Sequence, residues 1–270
     1  MFKKYWKFFV IFWSVVLVGI IGVFVFFWLI SAGKLGFMPT FEELENPNNR
    51  FASEVYFADG PIMNRYFEKE NRKYIEYREI PQSVIDALIA TEDVRFYDHS
   101  GVDVRGLFRV AKGLLTANTS AGGGSTISQQ LAKMLFPRES DLNVFELAIR
   151  KFREWVIAVR LEKSYTKEEI LTMYLNKYDF LNLAVGISSA ADIYFQVPLD
   201  SLKVEQAAML IGMAKNSSYY NPVRRPELTL NRRNVVLSQM YKYDKITREE
   251  CDSLKENLKC GIIVLTCSEF

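Results

Sequence analysis

Two glutamates, a glycine-rich run and a set of basic residues are the parts of this chain whose types and spacing suit catalysis. Glu92 stands at the end of an apolar stretch, next to Asp93 and shortly before His99, the only histidine. Burial at a helix end raises a carboxyl pKa and makes the group a usable base near neutral pH. A glutamate at a helix end is otherwise an ordinary solvated charge. Downstream, Gly122-Gly123-Gly124-Ser125-Thr126-Ile127-Ser128-Gln129-Gln130-Leu131-Ala132-Lys133 feeds glycines into a helix start. Thr126 and Gln129 have the spacing of a capping box. Glycines let the backbone approach a ligand closely, and the unpaired amides of a helix start favour an anion. Lys133, two turns in, adds a mobile positive charge. The plainer reading is a loop before a capped helix. In Arg150-Lys151-Phe152-Arg153-Glu154, Arg150, Lys151 and Glu154 share one helix face by their spacing. A surface ion-pair ladder is the plainer reading there, with Phe145, Ile149, Phe152, Val156 and Val159 forming the apolar face.

These groups need a helical frame, and the hydrophobic period supplies one. From Pro81, Ile85, Leu88 and Ile89 share one face of a short helix that reaches Glu92. Val104 to Leu115 is amphipathic, with Leu107, Val110, Ala111, Leu114 and Leu115 apolar and Arg105, Arg109 and Lys112 polar. That pattern fits core packing and a helix in a lipid headgroup layer equally well. Longer helices are predicted at Asn143–Lys163, Val204–Lys215, Leu228–Tyr243 and Glu249–Leu258. Another opens at the capping box Thr166 and Glu169, and Thr247 with Glu250 caps the last. Before Pro81, Glu54-Val55-Tyr56-Phe57, the turn Asp59-Gly60-Pro61 and Ile62 to Phe67 read as two short strands in a stem. No repeat and no strand–helix alternation occurs, which argues against a doubly wound nucleotide-sugar fold.

From Phe8 to Gly33 there is no charged residue. Roughly 20 apolar residues span a bilayer, whereas the apolar region of a cleaved signal peptide is about 7–15 residues long. A retained anchor is therefore expected, although Ser31-Ala32-Gly33 would suit cleavage. Lys3, Lys4 and Lys7 place the N-terminus in the cytoplasm and everything after Lys34 outside. A net charge of +2 makes no case for nucleic acid. Cys251, Cys260 and Cys267 are odd in number and clustered, so they are no disulfide framework, and a single histidine with no Cys-x-x-Cys argues against zinc.

With Thr91-Glu92-Asp93-x-x-Phe96-x-x-His99-x-Gly101 upstream, the glycine string resembles the peptidoglycan glycosyltransferase module, glycosyltransferase family 51, of class A penicillin-binding proteins and monofunctional murein polymerases. Arg150-Lys151-x-x-Glu154 and Leu161-Glu162-x-x-Tyr165-x-Lys167-x-x-Ile170-Leu171-x-x-Tyr174-Leu175-Asn176 match its third and fourth motifs. Gly186-Ile187-x-x-Ala190-Ala191-x-x-Tyr194-Phe195 and Met213-Ala214-Lys215-Asn216-x-x-x-Tyr220-Asn221-Pro222 match the rest. The resemblance covers roughly Phe51 to Leu258. Ser128 and Met134 replace a more usual Thr and Asn, and Gln196-Val197 replaces Gly-Lys.

The resemblance implies a mainly α, lysozyme-like helical domain with a small membrane-associated subdomain, preceded by one transmembrane helix. The expected division is a cytoplasmic tail at 1–7, the span at 8–33, the stem at 34–80, the glycosyltransferase domain at 81–258 and a tail of uncertain role at 259–270. The implied reaction is polymerisation of lipid II, with membrane-bound lipid II and the growing lipid-linked glycan as substrates, at the bacterial cytoplasmic membrane. Glu92 matches the first catalytic glutamate and Glu154 the second. Asp93, Gly124, Ser125, Thr126, Gln129, Gln130, Lys133, Arg150, Lys151, Asn176 and Lys215 fall at substrate-binding positions, and His99 reads as structural. Glu154 either orients cations or holds a divalent ion, Mg or Mn, and no nucleotide is implied. Other cell-wall synthesis proteins are the partners to be expected, and no nucleic acid. A lytic transglycosylase or lysozyme-like hydrolase, and a non-catalytic membrane scaffold, are the competing classes. The chain, ending at Phe270, is expected to work without a penicillin-reactive domain, and the apolar run Lys259 to Cys267 is too short for a second span.

Overall fold

The computed structural model describes residues 2–36, 38, 53–56, 62–66, 71–116, 123–135 and 143–257. Helix α1 (Phe2–Ser31) contains a stretch, Trp6–Ser31, long and apolar enough to cross a membrane, and most of its residues are exposed. Strands β1 (Ser53–Tyr56) and β2 (Ile62–Tyr66) pair antiparallel, as the strand–turn–strand pattern predicts. Their connecting turn and the tail 259–270 lie outside the described residues. A second pair was not legible in the sequence: β3 (Asn71–Arg72) runs parallel to β4 (Ala184–Val185). Two-residue strands carry no period to read.

The rest is helical: α2 (Gln82–Glu92), α3 (Val104–Leu115), α4 (Ile127–Leu135), α5 (Val144–Ser164), α6 (Lys167–Lys177), α7 (Ile187–Phe195), α8 (Val204–Met213), α9 (Pro226–Lys242) and α10 (Arg248–Glu256). At the centre lies α8, buried on all sides from Glu205 to Met213, as an all-round apolar helix must be. α2 and α9 pack on it, while α4 packs on α5 and α6. Thr166 with Glu169 and Thr247 with Glu250 form full reciprocal capping boxes, and Asn143 with Glu146 adds a third at the start of α5. α9 and α10 are joined by Arg233, fully buried, which donates to the backbone oxygens of Asn257 at 2.8 Å and Lys255 at 3.2 Å. Carbonyls at a helix C-terminus lack intrahelical partners, and a cation there is also favoured by the dipole.

Two of the amphipathic helices meet the main core only in part. The apolar face read on α5 does not meet the main core. Phe145 is 71% exposed, and the core-facing residues are Glu154, Ile157, Ala158 and Leu161. Phe152 packs instead against Phe26 and Phe27 of α1, at centroid distances of 5.4 and 5.6 Å. Arg160 then donates to the carbonyl and hydroxyl of Ser31, at the end of α1. Among the described side chains of α3, Gly106 and Gly113 lie on the buried side, and Val104, Phe108 and Leu115 face outward beside Arg105, Arg109 and Lys112. Its start is fixed by Asp103, which accepts the Gly106 amide and the Arg95 guanidinium. Burial opposes ionisation of Asp103, but those two partners outweigh it and hold the carboxyl below its ordinary range.

Candidate active site

Helix α2 delivers Glu92 and stops there, because Asp93 leaves helical geometry at φ −154° and ψ 77°. The Asp93 side chain turns inward. Its Oδ2 accepts the Ile127 amide at 3.1 Å and His99 Nε2 at 2.9 Å. Ile127 opens α4, so the carboxylate satisfies an orphan amide at the positive end of that helix. The end of α2 is thereby sewn to the start of α4. One turn along α4, Gln130 comes against Glu92 and its Nε2 donates to Oε2 at 2.8 Å. Gln130 is held in turn by the Tyr174 hydroxyl, which donates to its Oε1 at 3.0 Å. From the other side, Arg232 of α9 places Nη2 3.5 Å from Glu92 Oε1. Glu92 therefore stands between two donors, with 13% of its side chain still exposed.

A second cluster joins α5 to the glycine-rich segment. Lys151 Nζ donates to Glu154 Oε2 at 2.8 Å and to Ser125 Oγ at 2.9 Å. An ammonium has three N–H donors, so one is left for a ligand or water. Gly124 lets this segment pass close to α3: a Cβ there would lie 3.2 Å from Val110 Cγ2. Arg150 is half-buried without an ion pair among the described residues, whereas Lys133 on α4 and Lys215 just past α8 are exposed.

Four residues expected at the substrate are buried and bonded to protein, so they build the site rather than line it. Asp93 is the first. Thr126 Oγ1 and Gln129 Nε2 both donate to the Gly101 carbonyl, at 2.7 and 3.3 Å. Thr126 also accepts the Gln129 amide, so only half of the expected capping box forms, because the Gln129 side chain has gone to Gly101. Asn176 spends both ends of its amide on the backbone of Ile75. His99 is structural as well, its Nδ1 accepting the Gly101 amide and its Nε2 donating to Asp93.

The sequence matches the Transglycosylase family over residues 59–241. The chain belongs to this family. It is 37% identical over 218 residues to Penicillin-binding protein 1A of Escherichia coli, covering 81% of this chain and 25% of that protein. To Penicillin-binding protein 1A of Pseudomonas aeruginosa it is 36% identical over 219 residues, covering 81% and 26%. The chain thus spans about a quarter of the length of these relatives. The crystal structure of Penicillin-Binding Protein 1A from Haemophilus influenzae aligns with 77% of this chain and 21% of its own, at 22% identity and a TM-score of 0.43.

Sequence reasoning missed one charged residue at the centre of the candidate site. On helix α9, Thr229, Arg232, Arg233, Val236, Leu237 and Met240 recur at i, i+3, i+4, i+7, i+8 and i+11. Two arginines on a core-facing stripe must find partners, because burying an unpaired charge is costly. Arg233 finds carbonyls and Arg232 finds Glu92. The donors around Glu154 do not fit a divalent metal. Its Oε2 is taken by Lys151, and among the described residues no three His, Cys, Asp or Glu side chains converge.

Proposed function

We propose that this chain is a membrane-anchored peptidoglycan glycosyltransferase that polymerises lipid II into β-1,4-linked glycan and releases polyprenyl diphosphate. The observation that carries this reading is the Glu92 carboxylate, oriented from both sides by Gln130 and Arg232 yet open to solvent, in a chain of the transglycosylase family. The donor is the growing glycan, linked through MurNAc C1 to the lipid diphosphate. The acceptor is the GlcNAc 4-hydroxyl of an incoming lipid II. Glu92 takes the hydroxyl proton as that oxygen bonds to C1. The C1–O bond to the diphosphate breaks on the opposite side, and the electron pair leaves with the phosphate, which inverts the α-linkage to β. Fixed cations and amides stabilise charge that builds in a transition state. Lys151, braced by Ser125 and Glu154, serves the diphosphate together with Lys133, Arg150, Lys215 and the amides after Gly124. Glu154 orients Lys151.

The lipid tails of both substrates require a membrane. α1 anchors the domain, with its lysine-preceded N-terminus in the cytoplasm. The exposed Phe108 and Leu115 of α3, flanked by Arg105, Arg109 and Lys112, suit the headgroup layer of the cytoplasmic membrane.

The decisive experiment gives detergent-solubilised full chain either labelled lipid II or isolated sacculi. Polymer from lipid II, cleavable by a muramidase, with release of polyprenyl diphosphate is the expected result. Degradation of sacculi without polymer formation would make the protein a hydrolase or lytic enzyme instead. Lys151→Ala should raise the KM for lipid II about tenfold or more, since a charge-assisted hydrogen bond is worth about 1.5–3 kcal/mol. An unchanged KM in steady-state polymerisation would remove Lys151 from the diphosphate site.

A further inference from the structure

The path of Arg232 across the protein is built rather than accidental. It starts on α9 and crosses α8 at Gly212, where an added Cβ would stand 3.2 Å from Arg232 Cγ. Its Nε approaches the Gly212 carbonyl at 3.4 Å, and its guanidinium lies 5.8 Å from the centroid of the Tyr220 ring. The tip then reaches Glu92 Oε1 with only 11% of the side chain exposed. The next two carbonyls of α8, Met213 and Ala214, accept the Tyr178 hydroxyl at 3.1 and 2.8 Å. Arg232 therefore ties the glutamate to the C-terminal end of α8, and the next residue in the chain is Lys215.

We infer that Arg232 is a positioning residue for Glu92: it holds Oε1 while Gln130 holds Oε2, and it sets the glutamate against the α8 terminus that carries Lys215. The inference rests on the reading of Glu92 as the base of a lipid II polymerase. A single contact at 3.5 Å orients the carboxylate by charge and leaves lone pairs for the acceptor hydroxyl, which a tight bidentate pair would occupy. Gly212 has a matching purpose, because any side chain there would press on the arginine stem.

Groups facing Glu92 come from three elements. Gln130 of α4 is uncharged. Tyr174 of α6 and Tyr178 just after it are phenols held protonated: burial first, and then the charge of Glu92, push Tyr174 well above its usual range and Tyr178 up to about 12. Arg232 of α9 is the charged side chain whose contact with Glu92 the structure shows.

The test measures kcat and KM for lipid II polymerisation by the full chain in detergent, with thermal melting alongside, for wild type, Arg232→Gln, Arg232→Lys and Gly212→Ala. Arg232→Gln is expected to lower kcat about 10- to 100-fold, as misplacement of a catalytic group does, with KM nearly unchanged. Arg232→Lys keeps the charge and should restore part of the kcat that Arg232→Gln loses. Gly212→Ala should fall between wild type and Arg232→Gln in kcat. A wild type that polymerises, beside an Arg232→Gln variant whose kcat is unchanged or whose loss Arg232→Lys does not partly restore, would overturn the inference alone, whatever its melting temperature. A wild type that makes no polymer would overturn the assigned reaction.

Discussion

Glu92→Gln is expected to stop polymer formation and leave the protein folded. The substitution keeps the size of the side chain and removes only its ability to take a proton. General base catalysis contributes about 10²–10⁴-fold to a rate, so initial rates with labelled lipid II should fall at least to about one hundredth. Both neighbours of the carboxylate are donors, Gln130 Nε2 and Arg232 Nη2. An amide can offer oxygen to only one of them and must turn its NH2 toward the other. That mismatch costs about 1 kcal/mol, or about 2–4 °C in melting temperature for a domain of this size. Normal circular dichroism and retained lipid II binding would separate loss of the base from loss of the fold. Polymerisation above about one hundredth of wild type, the low end of what base catalysis supplies, would mean that another group accepts the proton.

What could be read in advance and what could not divide along a physical line. Local signals were legible: α2 ends at Glu92, α3 has the bounds its amphipathic period gave, and two capping boxes formed as their spacing required. Features decided by a distant partner were not. The Thr126 and Gln129 box is local in sequence, yet the Gly101 carbonyl competes for the Gln129 amide and wins half of it. The apolar face of α5 was visible, but its cover is α1, which no period can announce. At the site, the motif spacing picked out Glu92, Gln130, Ser125, Lys151 and Glu154, and the structure joins them into two clusters. It could not tell that Asp93 and Asn176 point inward, because burial depends on which helices meet. Arg232 was legible in principle, as a charge on a buried stripe.

Gly101→Ala should cost considerable stability, and activity with it. Gly101 adopts φ +94°, a backbone region that strains residues with a Cβ. The added carbon would also stand 2.8 Å from the Ala158 carbonyl carbon and oxygen and the Val159 amide nitrogen, all backbone atoms of α5 that cannot rotate away. Strain of about 1–3 kcal/mol and overpacking of about 1–3 kcal/mol together predict a loss of roughly 3 kcal/mol or more. At about 2–4 °C per kcal/mol for a domain of this size, the melting temperature should drop by about 6–12 °C. The functional consequence follows from the same position. The Gly101 carbonyl receives Thr126 and Gln129, and its amide is given to His99, which holds Asp93. Pushing Gly101 off α5 disturbs the start of α4 from both sides, and with it the register that brings Gln130 to Glu92. At a temperature where the variant is still folded, kcat should therefore fall while the Lys151 cluster, tied through Ser125 and α5, keeps KM for lipid II within about threefold, a change of under 1 kcal/mol in binding. An unchanged melting temperature would show that the close contact with Ala158 relaxes freely. An unchanged kcat in a destabilised variant would show that Glu92 and Gln130 are held together without the Gly101 turn.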